Sequence, residues 1–119
     1  MTTQELASLA RRRLALVHAA PVAEESAAEN IRNGLMLLCT LGHHHPAVWL
    51  EVPELERCKR RAAAALILVD LNAPAVATPH LRGAVEALIE ADLDWTVIVD
   101  VPAACARLLH ALRQLEEAP

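Results

Sequence analysis

Two short, strongly apolar runs constrain the fold of this chain more than any other feature of its sequence. Residues 65–71 read ALILVDL and residues 95–101 read WTVIVDV. Both runs are rich in aliphatic or β-branched residues, and a proline follows each of them within three positions. Runs of this length and composition, bounded by turn-forming residues, are typical of strands that a parallel sheet buries on both faces. The sequence therefore predicts two buried parallel strands.

An amphipathic stretch follows each of these predicted strands. Residues 79–91 and 103–117 carry leucine, isoleucine or valine at helical spacing, which predicts a helix after each strand. Earlier in the chain, residues 47–52 lie between two prolines and are predicted as a further strand. Residues 53–64 are predicted as a short helix, because Pro53 suits the first helical turn and the acidic residues precede the basic ones.

The helix predicted over residues 26–41 has the clearest start signal in the chain. Ser26 stands three positions before Glu29, and this is the spacing of a capping box, in which two side chains satisfy the first free backbone N–H groups. Gly42 is expected to end this helix, because glycine commonly follows the last helical residue.

The first twenty residues allow two interpretations. They form either one helix over residues 3–20 or a helix over residues 3–12 followed by a strand over residues 14–19. The regular alternation of the rest of the chain favours the strand. Alternating strands and helices with short connections predict a parallel sheet covered on both faces. The expectation is one α/β domain over residues 1–119, flavodoxin-like, with three α-β-α layers and about four parallel strands.

Composition and charge exclude several classes of partner. Hydrophobic residues make up 55% of the 119 residues, but the aromatic residues are only Trp49 and Trp95. Aromatic platforms for stacking bases are therefore nearly absent, and a net charge of −4 gives no attraction to nucleic acid or anionic membranes. Three cysteines without a paired spacing, and no apolar stretch of about 20 residues, favour a cytoplasmic protein without disulfides or a membrane span.

Candidate functional residues follow from the predicted sheet. Ligands of open parallel sheets bind at the carboxyl ends of the strands. This edge is expected to form a ligand or partner rim of six polar residues, which are His18, Glu24, Glu25, Asp70, Asn72 and Asp100. No glycine-rich loop follows a predicted strand, so a phosphate cradle is disfavoured. No cofactor and no metal are predicted.

Asp70 and Asp100 end the two clearest predicted strands and allow three interpretations. As neighbouring carboxylates they could hold Mg²⁺ with water in the remaining positions. They could also share a proton and act as acid and base. The third interpretation is that each only shapes the turn or caps the helix that follows, and it is favoured because aspartate commonly has this role.

The cysteines and histidines offer one candidate for covalent chemistry. Cys105 is predicted in the first turn of the last helix, where backbone N–H groups lower a thiol pKa and favour a nucleophilic thiolate. The more common alternative is a small buried residue. Cys39 is expected in the core and Cys58 on a solvated helix face. Residues 43–45 are three histidines that are expected in an exposed turn.

The first half of the chain resembles the DsrE/DsrF-like sulfur-relay family. The resemblance rests on a predicted strand running into Ala-Pro at residues 14–21, on the helical segment IRNGLMLL at residues 31–38 and on the strand at residues 48–52. It implies a flavodoxin-like sheet and an oligomer. Members that carry sulfur have a cysteine just after the third strand, where residues 68–74 of this chain read LVDLNAP. The resemblance therefore implies a structural or partner subunit.

A second resemblance is to response-regulator receiver domains. The segment LILVDLNAP at residues 66–74 is similar to their phosphoacceptor strand, in which a proline follows the aspartate by four positions. It implies that Asp70 is the phosphoacceptor. Receivers place threonine or serine where this chain has Asp100, and their acidic pair and lysine have no counterpart here.

These observations lead to three functional hypotheses. The first is a small non-catalytic accessory protein that acts as a homo-oligomer or by binding a protein partner. The high apolar content favours it, because an interface would cover exposed apolar surface. The second is a thiol-dependent sulfur carrier or sulfurtransferase that uses Cys105. The third is a degenerate receiver-like signalling module that uses Asp70.

Overall fold

The computed structural model describes residues 1–15 and 25–117, and these residues are helical without a strand. The α/β, flavodoxin-like fold predicted from the sequence is therefore wrong. The six helices of the described residues are α1 (Thr3–Leu14), α2 (Ala27–His44), α3 (Pro46–Glu51), α4 (Pro53–Asp70), α5 (Pro74–Glu90) and α6 (Asp100–Glu117).

Four long helices form an up-and-down bundle. Helix α2 packs against α4, α4 against α5, α5 against α6, and α6 against α2, so that the four close a ring around one core. Arg57 near the start of α4 pairs with Glu90 at the end of α5. Arg32 in the first half of α2 pairs with Asp70, the last residue of α4. These contacts show that neighbouring helices run antiparallel, which is typical of four-helix bundles with short connections.

The two remaining helices lie on the outside of this bundle. Helix α1 packs against α5 and α6. The short helix α3 lies between α2 and α4 and contacts both of them, and none of its residues is buried. A short external helix therefore covers the end of the α2–α4 side.

Helix starts were the most predictable feature of the sequence. The capping box is confirmed, because the Ser26 hydroxyl accepts from the Glu29 backbone N–H and the Glu29 carboxylate accepts from the Ser26 backbone N–H. Prolines stand in the first turns of α3, α4 and α5, where the missing N–H costs no helical hydrogen bond. The predicted end at Gly42 is wrong, since α2 continues to His44.

The predicted strands are segments of helix or turn. Residues 65–71 form the end of α4 and one residue beyond it, residues 47–52 coincide with α3, and residues 95–101 form a turn and the start of α6. The predicted strand at residues 14–19 begins on the last residue of α1 and the turn residue after it, and residues 16–19 lie outside the described residues. Short apolar runs do not distinguish a buried strand from part of a helix, and the alanines at residues 62–65 extend α4 because alanine has the highest helix propensity.

Glycine and alanine allow the bundle helices to approach closely. A Cβ placed on Gly34 of α2 would lie 2.8 Å from Leu108 Cδ2 of α6, so the absence of a side chain makes room for this leucine. The core contains no phenylalanine or tyrosine and is built mainly from leucine and alanine. Close contact between helix backbones thus replaces the bulk that aromatic side chains supply in other cores.

Candidate binding groove

A groove between α2, α3 and α4 has a largely apolar lining. Its volume is about 400 Å³, which falls within the range of about 300–1,000 Å³ for ligand sites. We call it the Trp49 groove, and its lining residues are Leu38, Cys39, Gly42, Pro46, Trp49, Leu50 and Lys59.

Trp49 is held in place on three sides. Its indole Nε1 donates a hydrogen bond of 3.0 Å to Glu56 Oε2 on α4. The Lys59 ammonium lies 5.7 Å from the centroid of its ring, within the range of cation–π attraction. A Cβ on Gly42 would lie 3.3 Å from the ring, so this glycine lets the indole lie against α2. The groove therefore has an aromatic wall of defined orientation.

Glu56 is the polar group that fixes this wall. The pKa of its carboxyl is lowered, first by the hydrogen bond from the Trp49 indole and then by the charges of Lys59 and Arg60. The carboxylate therefore stays charged at neutral pH and keeps accepting from Trp49. Both cations lie within ion-pair distance of Glu56, at 3.9 Å and 3.3 Å.

The rim of the groove exposes apolar surface. Leu50 is 84% exposed, although complete burial of a leucine side chain is favourable by about 1.5–3 kcal/mol. Met36 is also exposed and lies one turn before Cys39 and Thr40 on α2. Sequence reasoning missed this groove because it assigned Trp49 to a buried strand. The signal that identifies α3 is the proline on each side of a six-residue segment.

The six predicted rim residues do not form one site. Glu25 precedes α2, Asp70 ends α4, and Asn72 lies in the turn after α4 with a φ of 60°. Asp100 begins α6, at the opposite end of the bundle from Asp70. His18 and Glu24 lie outside the described residues.

The separation of Asp70 and Asp100 decides between the interpretations of this pair. Helix α6 has 18 residues and is therefore about 27 Å long at 1.5 Å per residue. Two carboxylates at opposite ends of such a bundle cannot hold one Mg²⁺ or share one proton. Asp100 instead adds negative charge to the first turn of α6, which the helix dipole favours. Asp70 forms an ion pair of 3.4 Å with Arg32.

Glu25 belongs to a polar network that joins the start of α2 to α6. Its carboxylate accepts from Arg107 at 3.0 Å and from Asn33 at 2.6 Å. The fully buried Asn30 donates to Gln114 Oε1 at 2.9 Å and accepts from Arg107 at 3.3 Å. These bonds satisfy polar groups that would otherwise be buried without partners, so the network has a structural role in this bundle.

Replacing Asn30 with leucine is expected to lower the free energy of unfolding by about 1–3 kcal/mol. The change preserves approximate volume but leaves the Gln114 carbonyl and one Arg107 N–H without their partner. Urea denaturation followed by circular dichroism measures the loss. Thr40→Ala on the exposed part of α2 is the control and should change stability by less than about 0.5 kcal/mol. An Asn30→Leu variant as stable as the wild type would contradict this role.

Cys39 and Cys58 differ from the sequence expectation, whereas Cys105 is buried, as its more common alternative predicted. Cys39 is exposed in the Trp49 groove, whereas Cys58 is buried, so both expectations are reversed. Cys105 lies in the second turn of α6 and is fully buried. Burial raises the pKa of the Cys105 thiol to about 12 and also raises the pKa of Cys58. A neutral, inaccessible thiol lacks both requirements of a nucleophile.

His43, His44 and His45 are exposed at the junction of α2 and α3. Within residues 1–15 and 25–117, no group of three or more histidine, cysteine, aspartate or glutamate side chains is placed to hold a metal ion. None of the six helices described above is long and apolar enough to cross a bilayer.

Comparison with known proteins gives no relative for this chain. No family model matches the sequence, and no curated protein or solved structure matches it significantly. The functional parts of the sulfur-relay and receiver resemblances thus stay predictions, while the parallel sheet that both imply is absent from the described residues.

Proposed function

We propose that this protein acts by binding, as a non-catalytic interaction module that holds an apolar segment of a protein partner in the Trp49 groove. The observation that carries the proposal is the pairing of a fixed indole with the exposed Leu50 beside it. Tryptophan is enriched among the residues that dominate binding energy at protein interfaces. An oriented Trp49 loses little side-chain entropy when a partner covers it.

A protein segment suits this groove better than a small molecule for two reasons. Its rim residue Leu50 points into solvent rather than enclosing a ligand, and ligand sites usually bury most of the ligand surface. The exposed Met36 extends the apolar surface along α2 beyond the groove. Lys59 is the cation in the lining, so a carboxylate next to the apolar side chain of the partner would complement the site.

The two tryptophans provide the test. Selection of a displayed 12-residue peptide library against the wild type, with counter-selection on Leu50→Asp, should yield apolar peptides with an acidic residue. Titration of a selected synthetic peptide should shift the indole N–H signal of Trp49 in ¹⁵N-labelled protein. The buried Trp95 is the internal reference and should not shift. Leu50→Asp should weaken binding at least tenfold, about 1.4 kcal/mol.

The control variant is Val76→Asp, because Val76 is an exposed apolar residue in the first turn of α5 and does not line the groove. It should bind the selected peptide like the wild type. Peptides that bind Leu50→Asp equally well would contradict the proposal. A shift of the Trp49 signal by decanoate, with no peptide selected, would also contradict it and assign the groove to small apolar acids.

A further inference from the structure

The cations of this chain are unevenly partnered. Of the 11 lysine and arginine residues, six form ion pairs with carboxylates, namely Arg32, Arg57, Lys59, Arg60, Arg82 and Arg107. Arg61 donates to the Pro79 carbonyl. The four others have no ion pair among the described residues, and they are Arg11, Arg12, Arg13 and Arg113.

Two of these four arginines, Arg11 and Arg113, line the same groove. A groove of about 180 Å³ lies between α1 and α6, and we call it the basic groove, with the lining residues Arg11, Leu14, Ala106, Leu109, His110 and Arg113. Its floor is apolar, its described lining contains no carboxylate, and two guanidinium groups flank it. The dipole of α1 favours cations in the last turn of that helix, but it does not account for Arg113 and His110 on α6.

The complementary surface lies in the same chain. The connection between α5 and α6 and the first residue of α6, residues 92–100, form what we call the acidic loop. It contains Asp92, Asp94 and Asp100, and between them the exposed Val97 and Val99, at 70% and 69% exposure. The pKa of Asp94 is lowered by hydrogen bonds from the Thr96 side chain and backbone, so this carboxylate is charged at neutral pH.

We propose that the basic groove of one copy of this chain binds the acidic loop of a second copy. The two valines would lie on the apolar floor formed by Leu14 and Leu109, and the aspartates would pair with Arg11 and Arg113. Each surface combines apolar residues with charge, and the two surfaces carry charge of opposite sign. Such charge complementarity makes an interface specific and speeds association.

The position of the two surfaces favours a two-fold dimer. The Arg13 guanidinium lies 5.2 Å from the centroid of the Trp95 ring, so the acidic loop lies directly beside the last turn of α1. Loop and groove are thus neighbours on one copy. Two copies related by a two-fold axis can exchange loops reciprocally, because the same patch then serves both of them.

Other anions fit the basic groove less well. Bases would find no tryptophan to stack on, because Trp95 is buried and Trp49 lies in the other groove. Membrane binding by α1 would need an exposed apolar helix face, whereas Leu6, Ala7 and Ala10 of α1 are buried against the bundle.

Sedimentation velocity of charge-swap variants tests the dimer. The wild type at about 50 µM should be dimeric in 50 mM NaCl and should dissociate about tenfold more readily in 500 mM NaCl, where screening is strong. Arg11→Glu/Arg113→Glu and Asp92→Arg/Asp94→Arg should each be monomeric and folded. An equimolar mixture of the two variants should regain the dimer, because both contacts of the mixed pair again join opposite charges.

Two further variants keep the test decisive. Asp92→Arg alone replaces the second variant if loss of the Asp94–Thr96 bonds prevents folding. Arg60→Glu, at a residue 78% exposed on α4, has the same charge change outside both surfaces and should stay dimeric. A monomeric wild type, dimeric charge-swap variants, or a mixture that stays monomeric would overturn the proposal. A monomeric wild type that binds a 20-nucleotide RNA or phosphatidylserine vesicles through Arg11 and Arg113 would equally overturn it.

Discussion

Replacing Leu108 with alanine is expected to lower the free energy of unfolding by about 2–5 kcal/mol. The side chain is fully buried at the closest approach of α2 and α6, and its truncation leaves a cavity that the rigid backbones of two helices fill only in part. Urea denaturation gives the loss. Truncation of the half-buried Leu115 on the same helix is the control and should cost clearly less, because less apolar surface is lost.

The contact between Gly34 and Leu108 makes this prediction specific. Gly34→Ala alone should destabilise the bundle, although alanine improves helix propensity by about 1 kcal/mol, because its Cβ would lie 2.8 Å from Leu108 Cδ2. In the double variant Gly34→Ala/Leu108→Ala, the new methyl group occupies part of the space that the leucine leaves. The double variant should therefore lose less stability than the sum of the single variants. Additivity within about 0.5 kcal/mol would contradict the contact.

The stability of the protein is expected to fall steeply above pH 9. Burial raises the pKa of Cys105 to about 12 and also raises that of Cys58, whereas an unfolded thiol titrates near about 8.5. Below that pH the thiols are neutral in both states and their contribution is fully present. As the pH rises towards 12, the thiols of the unfolded state lose their protons at a lower pH than the buried thiols of the folded state. Each buried thiol then removes about 1.4 kcal/mol of stability per pH unit.

Urea denaturation at pH 8, 9.5 and 10.5 measures this decline. The chain contains no tyrosine and Lys59 is its one lysine, so few other groups titrate in this range. Cys58→Ala/Cys105→Ala should flatten the decline. In the folded wild type at pH 8, a thiol reagent such as DTNB should modify Cys39 alone, and all three thiols should react in urea. Rapid modification of Cys105 in the folded protein would contradict its burial and would favour the sulfur-carrier hypothesis.

The parts of the fold that depend on local chemistry were predictable from the sequence. Ser26 and Glu29 identified the start of α2, and Pro53 identified the start of α4, because capping and the first helical turn depend only on neighbouring residues. The apolar run at residues 65–71 was misread because it is short and not strictly amphipathic. Part of it is solvent-exposed, with Ile67 60% exposed, so its composition reflects no buried sheet.

The candidate site was less predictable because it depends on packing between helices. The predicted sheet would place Asp70 and Asp100 at one edge, whereas the helical bundle places them at opposite ends. Cys39 and Cys58 exchanged their expected environments for a similar reason, since the burial of a helical side chain depends on which faces the neighbouring helices cover. The place of Trp49 was not predictable for the same reason, because Gly42 and Glu56 on two other helices fix the orientation of its ring.

The contrast between the two tryptophans makes the intrinsic fluorescence of this chain informative. Trp95 is 4% exposed and lies against Arg13, whereas Trp49 lies in an open groove on a helix without buried residues. Detachment of α3 alone should shift the emission of Trp49 to longer wavelength and leave that of Trp95 unchanged. Loss of the core should shift both. Emission spectra during denaturation therefore separate fraying of one external helix from unfolding of the whole bundle.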